Sequence, residues 1–218
     1  MTNGSTSTSK LIFIPSIITL AVTLLRLIGE LRQWNEVFFR RSFGGGGAIV
    51  GIAWLAIIFP IYFALKLRKA GQGFQGAGKA IGLAVLSLVV FVAGTFLALG
   101  GGGAFKLTPK VVAGMLVIVA GVYIMRMAWP AYWNVLLIYA LAARIPVIIV
   151  YYLTIQGSWN THYDAAPPNV TFPDLTSKFV SLGLVPQIFF WIPFTIIVCG
   201  LIGTIVAAIA KAPEKMDV

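Results

Sequence analysis

Long apolar runs alternate with short polar joints along this chain, and the runs are of membrane length. Residues 80–105 make 26 positions without a charge. About 18 apolar residues suffice, because a helix rising about 1.5 Å per residue must cross about 30 Å of hydrocarbon. Grouping the runs predicts six spans, at about residues 11–29, 48–65, 80–99, 111–128, 133–153 and 180–210. Residues 111–153 number 43 with charges only at Arg126 and Arg144, too many for one crossing. The break is expected within 127–134, where Pro130 stops a helix and Trp129, Tyr132 and Trp133 would form an interfacial aromatic belt.

Between the first two spans the period changes its partners. Leu27, Leu31, Trp34 and Phe38 share one helical face, while Arg32, Glu36 and Arg40 share another. That pattern predicts an amphipathic interfacial helix over 30–43, ended by the glycines at 44–47. Pro60, Pro146, Pro186 and Pro193 fall inside spans and predict kinks. Residues 156–178 form the one long polar loop, above the length of an ordinary connection. The fold class is all-α: a multi-pass transmembrane bundle of about six spans, forming one integral membrane domain over 1–218.

Composition agrees with the pattern. Hydrophobic residues are 59% of the 218 and charged ones 10%, against about 25% charged in soluble domains. The net charge of +10 comes from Lys and Arg beside apolar spans, which reads as topology signalling and headgroup contact rather than nucleic-acid binding. Lys66, Arg68, Lys69 and Lys79 stand in one loop without an acid. That loop is expected in the cytoplasm with both termini, and loop 156–178 outside, in a bacterial inner membrane. The margin is narrow: eight basic residues fall inside and seven outside. Cys199 is the lone cysteine, so intrachain disulfides and cysteine metal clusters are excluded. The polar, uncharged start and the charges at Arg26 and Glu30 do not make a secretory signal, so the first span is expected to stay attached.

Candidate chemistry is sparse. Gly71–Gly76 fits G-x-G-x-x-G and residues 73–79 fit G-x-x-x-x-G-K, but a membrane helix stands where a phosphate-cradling β-strand is needed. Gly47 with Gly51, Gly78 with Gly82, and Gly200 with Gly203 would let helices approach closely. Arg144 is the most informative residue. It falls mid-span before Pro146, where a charge costs at least about 2.5–3.5 kcal/mol. Glu30, one turn after Arg26, is its expected counter-ion, either as a structural ion pair or as part of an anion pathway. His162, the single histidine, stands two residues before Asp164 in the long loop. The pair could serve as base and orienter, although no nucleophile accompanies it and ordinary loop hydrogen bonding is the plainer reading. One histidine cannot supply two axial haem ligands. No cofactor, metal site or nucleic-acid partner is expected.

Three functions follow in order. The first is a non-catalytic accessory or structural subunit of a membrane complex, its partners being lipids and other subunits. The second is a small oligomeric transporter or channel built on Arg144, Arg26 and Glu30. The third is a membrane enzyme using His162 and Asp164.

Overall fold

The computed structural model describes residues 7–46, 48–100 and 105–210. Its helices are α1 (Thr8–Leu31), α2 (Leu55–Lys69), α3 (Ala77–Leu99), α4 (Pro109–Ala128), α5 (Pro130–Gly157), α6 (Leu175–Phe179) and α7 (Ile192–Ile209). Two π-helical turns, Val180–Leu184 and Gln187–Trp191, join α6 to α7. No strand occurs among the described residues. Five helical segments are long and apolar enough to cross a membrane. With α2 added, the molecule is a multi-pass helical bundle of about six spans, an integral membrane protein.

The first helix shows the inversion a bilayer demands. Its buried positions include Thr19, Thr23, Arg26 and Glu30, while Phe13, Ile14, Ile17, Leu24 and Ile28 are exposed. Lipid cannot hydrogen-bond, so polar groups turn inward to partners and apolar ones outward. Thr19 illustrates this: its hydroxyl donates to the Pro15 carbonyl (2.8 Å) and meets the Tyr139 hydroxyl of α5 at 2.9 Å.

Close glycine contacts set the remaining packing, though not at every expected place. A Cβ on Gly203 would collide with the Tyr132 hydroxyl, and one on Gly200 would lie 2.8 Å from the Met125 methyl. Gly78 and Gly82 have open space beside them, so they hold no helices together. Gly47 lies outside the described residues. The tightest seam joins α3 to α4 through other glycines. A Cβ on Gly114 would come 2.5 Å from the Ala98 nitrogen and one on Gly94 2.8 Å from the Ile118 nitrogen. Ser87 donates across the same seam to the Gly121 carbonyl at 2.7 Å.

The α4–α5 break falls at Trp129, which is extended (φ −156°, ψ 88°), with Pro130 at the first turn of α5. The expected aromatic belt is a correction. Trp129 and Tyr132 are 1% and 0% exposed, because their polar edges find backbone acceptors inside. Trp129 Nε1 donates to the Gln72 carbonyl (2.7 Å), and the Tyr132 hydroxyl is shared between Pro60 (2.9 Å) and Cys199 (3.3 Å) carbonyls. Trp133 Nε1 bonds the Val122 carbonyl at 2.9 Å while Arg126 covers its ring.

A second correction concerns residues 30–43. The periodic segment is not a helix: α1 ends at Leu31, Gln33 takes a positive φ of 55°, and turns follow to the short 3-10 turn at Phe43–Gly45. Phe39 folds back over Gly29, where any Cβ would strike its ring. The second span is also shorter than expected. α2 begins at Leu55 and has 15 residues, or roughly 22 Å at about 1.5 Å each. Residues 48–54 are spent instead on the site described next.

Candidate functional site

Two loops meet over the end of α1. Arg26 and Glu30 share its buried face, four residues apart. Arg26 Nε donates to Glu30 Oε1 at 2.8 Å, Nη1 to the Val50 carbonyl at 2.9 Å, and Nη2 to the Gly45 carbonyl at 2.9 Å. The Arg40 carbonyl lies 3.5 Å from the same Nη2. The guanidinium thus satisfies carbonyls that a longer α2 and an interfacial helix would have satisfied within themselves. Irregular backbone at membrane depth persists only where it lines a cavity or is buried in protein, and here one side chain supplies its donors. Gly45 (φ +58°) and Gly51 leave the room: a Cβ on Gly45 would strike Nη2, and one on Gly51 would lie 2.9 Å from Nη1.

Glu30 reaches the other loop as well. Its Oε2 accepts the His162 backbone N–H at 2.8 Å, and its Oε1 lies 2.5 Å from His162 Nδ1. Glu30 accepts there, so Nδ1 carries the proton. Burial holds His162 below its ordinary pKa, outweighing the pull of the Glu30 carboxylate toward the charged form. Asp164 does not face His162. Its carboxylate accepts Thr161 N–H (2.6 Å), Thr161 Oγ1 (2.6 Å) and Asn160 N–H (2.9 Å), folding the turn that presents the histidine. The expected base and orienter are therefore split: Glu30 orients His162, and Asp164 shapes the loop.

The same rearrangement leaves Arg144 alone. The expected Arg144–Glu30 pair is absent, since both Glu30 oxygens are spent on Arg26 and His162. Arg144 is 4% exposed and has no ion pair or hydrogen bond to any described residue; its Nε is buried without a partner. Pro146 nearby provides no carbonyl for it. Its guanidinium lies over the Trp191 ring, whose centroid is 4.7 Å from Cζ. A cation–π contact leaves the guanidinium N–H groups without an oxygen acceptor.

Arg144 borders a cavity of about 420 Å³ lined by Arg26, Tyr151, His162, Gln187 and Trp191, among others. Gln187 is 2% exposed with its Oε1 unpartnered, and neither Tyr151 nor Tyr163 bonds another described residue through its hydroxyl. Sequence reading missed these groups because each reaches the site from a separate element. The π-turns that carry Gln187 and Trp191 do have a sequence signal. The first contains Leu182 and the second Phe189, whose α-helical donors four residues on would be Pro186 and Pro193. Proline has no N–H, and the helix widens: Val185 N–H reaches Val180 and Ile192 N–H reaches Gln187, each five residues back. Such widened turns cluster at functional sites.

The cavity can hold an anion against a fixed cation. It offers no cluster of three metal-binding side chains among the described residues. Cys199 is buried in α7 away from His162 and lines no part of the cavity. Searches against family models, curated proteins and solved structures find no match to this chain.

Proposed function

We propose that the protein binds a small anion at Arg144 inside the membrane and moves it across, as a carrier or channel. One observation carries this reading: a buried arginine without a counter-charge borders a cavity of small-molecule size. An uncompensated charge at this depth is expensive, and residues that retain one generally serve an ion or substrate path. Arg26 is already neutralised by Glu30 and bonded to loop carbonyls, which leaves Arg144 for that role. The π-turns and the prolines at 60, 146, 186 and 193 support helices that can shift around the site. The loop holding Lys66, Arg68 and Lys69 supports a cytoplasmic placement of that face in a bacterial inner membrane, with His162 outside.

Proteoliposomes loaded with labelled anions test the reading. Arg144→Leu should abolish flux while the purified protein stays monodisperse; unchanged flux would overturn it. A second reading, the accessory subunit, draws on the same missing counter-charge, since a partner helix could bring a carboxylate to Arg144. Native mass spectrometry of the complex from its own membrane distinguishes them: stoichiometric partner subunits favour the accessory role, and self-association alone favours the carrier.

A further inference from the structure

We infer that the ligand at Arg144 is an organic monoanion, a carboxylate with an apolar body, rather than an inorganic or multiply charged ion. This rests on the anion-binding reading above and specifies its substrate class.

The charge balance fixes the valence. Two cations border the cavity, Arg26 and Arg144. Glu30 neutralises Arg26 at 2.8 Å, and the carbonyls of Val50 and Gly45 accept from its Nη1 and Nη2. His162 faces Glu30 through Nδ1, and burial favours its neutral form. Asp164 is turned into its own loop and faces Thr161. One uncompensated positive charge remains, that of Arg144. A single negative charge restores neutrality; a second would be buried unpaired, at heavy cost in a low-dielectric site.

The lining fixes the body. The walls are largely apolar and aromatic, with Val22, Ile52, Trp54, Val147, Leu182 and Trp191 beside the few polar groups. The volume of about 420 Å³ far exceeds what a monatomic ion needs. A hydrated inorganic anion would leave most of this surface against trapped water, whereas an alkyl or aryl body would cover it. The head is fixed by geometry. The Trp191 ring centroid lies 4.7 Å from Cζ, and no described residue accepts from the Arg144 guanidinium, whose planar fork of donors matches a carboxylate. Tyr151 and Tyr163 also line the cavity.

Isothermal titration of the full chain in nanodiscs of zwitterionic lipid tests this with octanoate, octanol, chloride and sulfate. Octanoate should bind, and octanol, with the same body and no charge, should bind about tenfold or more weakly, as should octanoate to Arg144→Gln. Arg144→Lys, which keeps the charge without the planar edge, should fall between. Circular dichroism and monodispersity of the variants would confirm that lost binding is not lost folding. Palmitate placed in the bilayer against octanoate added from water distinguishes a lipid-derived source from a dissolved one, and binding of either supports the proposal. Chloride or sulfate binding at Arg144 as tightly as octanoate would overturn the organic monoanion while leaving anion binding intact. Octanol equal to octanoate, or no binding by any probe, would overturn both.

Discussion

Arg26 and Arg144 border one cavity, yet the fold treats them oppositely. Arg26 is enclosed by a carboxylate and backbone carbonyls; it holds the loop of Gly45 and Val50 against the end of α1, while its partner Glu30 holds that of His162. Arg144 sits over a tryptophan ring with no acceptor at all among the described residues. The first is a fastening, in which Nη1 and Nη2 replace hydrogen bonds the bent backbone lost. The second stores an unmet electrostatic demand that only something outside the described fold can satisfy. Burial alone does not separate a structural charge from a functional one; the count of its partners does.

Removing Glu30 should have the largest effect. Glu30→Ala strands Arg26 and releases His162, and breaking a buried pair costs about 3–5 kcal/mol. The thermal midpoint of the purified protein should drop sharply. Arg144→Leu should do the reverse, leaving the midpoint unchanged or raising stability by about 1–3 kcal/mol, part of the insertion cost of an arginine at mid-span. If Arg144→Leu destabilised as much as Glu30→Ala, the contrast between the two arginines would collapse.

The His162 contact sharpens the fastening through pH. Burial lowers the folded-state pKa of His162 below its free value of 6.5. The closed loop therefore binds fewer protons than the open one, so its stabilisation is complete above about pH 6.5 and is lost as pH falls below it. Protection factors across residues 158–164, taken against the intrinsic exchange rate at each pH, should fall from about pH 7.5 to about pH 5.5, and His162→Gln should flatten that dependence at a cost of about 1 kcal/mol. Equal pH dependence in wild type and His162→Gln would assign the effect to another group. The smallest effects belong to glycines. Gly51→Ala pushes a methyl toward Arg26 Nη1 and should destabilise by about 1 kcal/mol. Gly82→Ala meets open space and should gain up to about 1 kcal/mol from helix propensity. Thermal midpoints of the two variants, moving in opposite directions, would confirm that only the first touches the site.

The reading of individual segments shows where sequence logic holds. The break at Pro130 was legible because proline acts on its own backbone, whatever lies around it. The segment 30–43 misled for the opposite reason. Its apolar period is real, but the carbonyls of Arg40, Gly45 and Val50 gain more from a buried guanidinium than from an interfacial helix exposed on one side. Trp129 and Tyr132 misled similarly, since aromatic rings near a span end satisfy their polar edges equally well at headgroups or on buried carbonyls.

By itself the sequence determined that this chain is a multi-pass helical membrane protein of about six spans, and placed the break at Pro130. Those outcomes follow from local quantities, run length and proline chemistry, which no neighbour can revoke. It also marked Arg26, Glu30 and Arg144 as the costly groups. Only the tertiary structure decided which of them pair. Glu30 lies 132 residues from His162, and a carboxylate with two oxygens cannot serve every cation that would gain from it. Chain folding allotted Glu30 to Arg26 and His162, and so left Arg144 as the charge that still requires a partner.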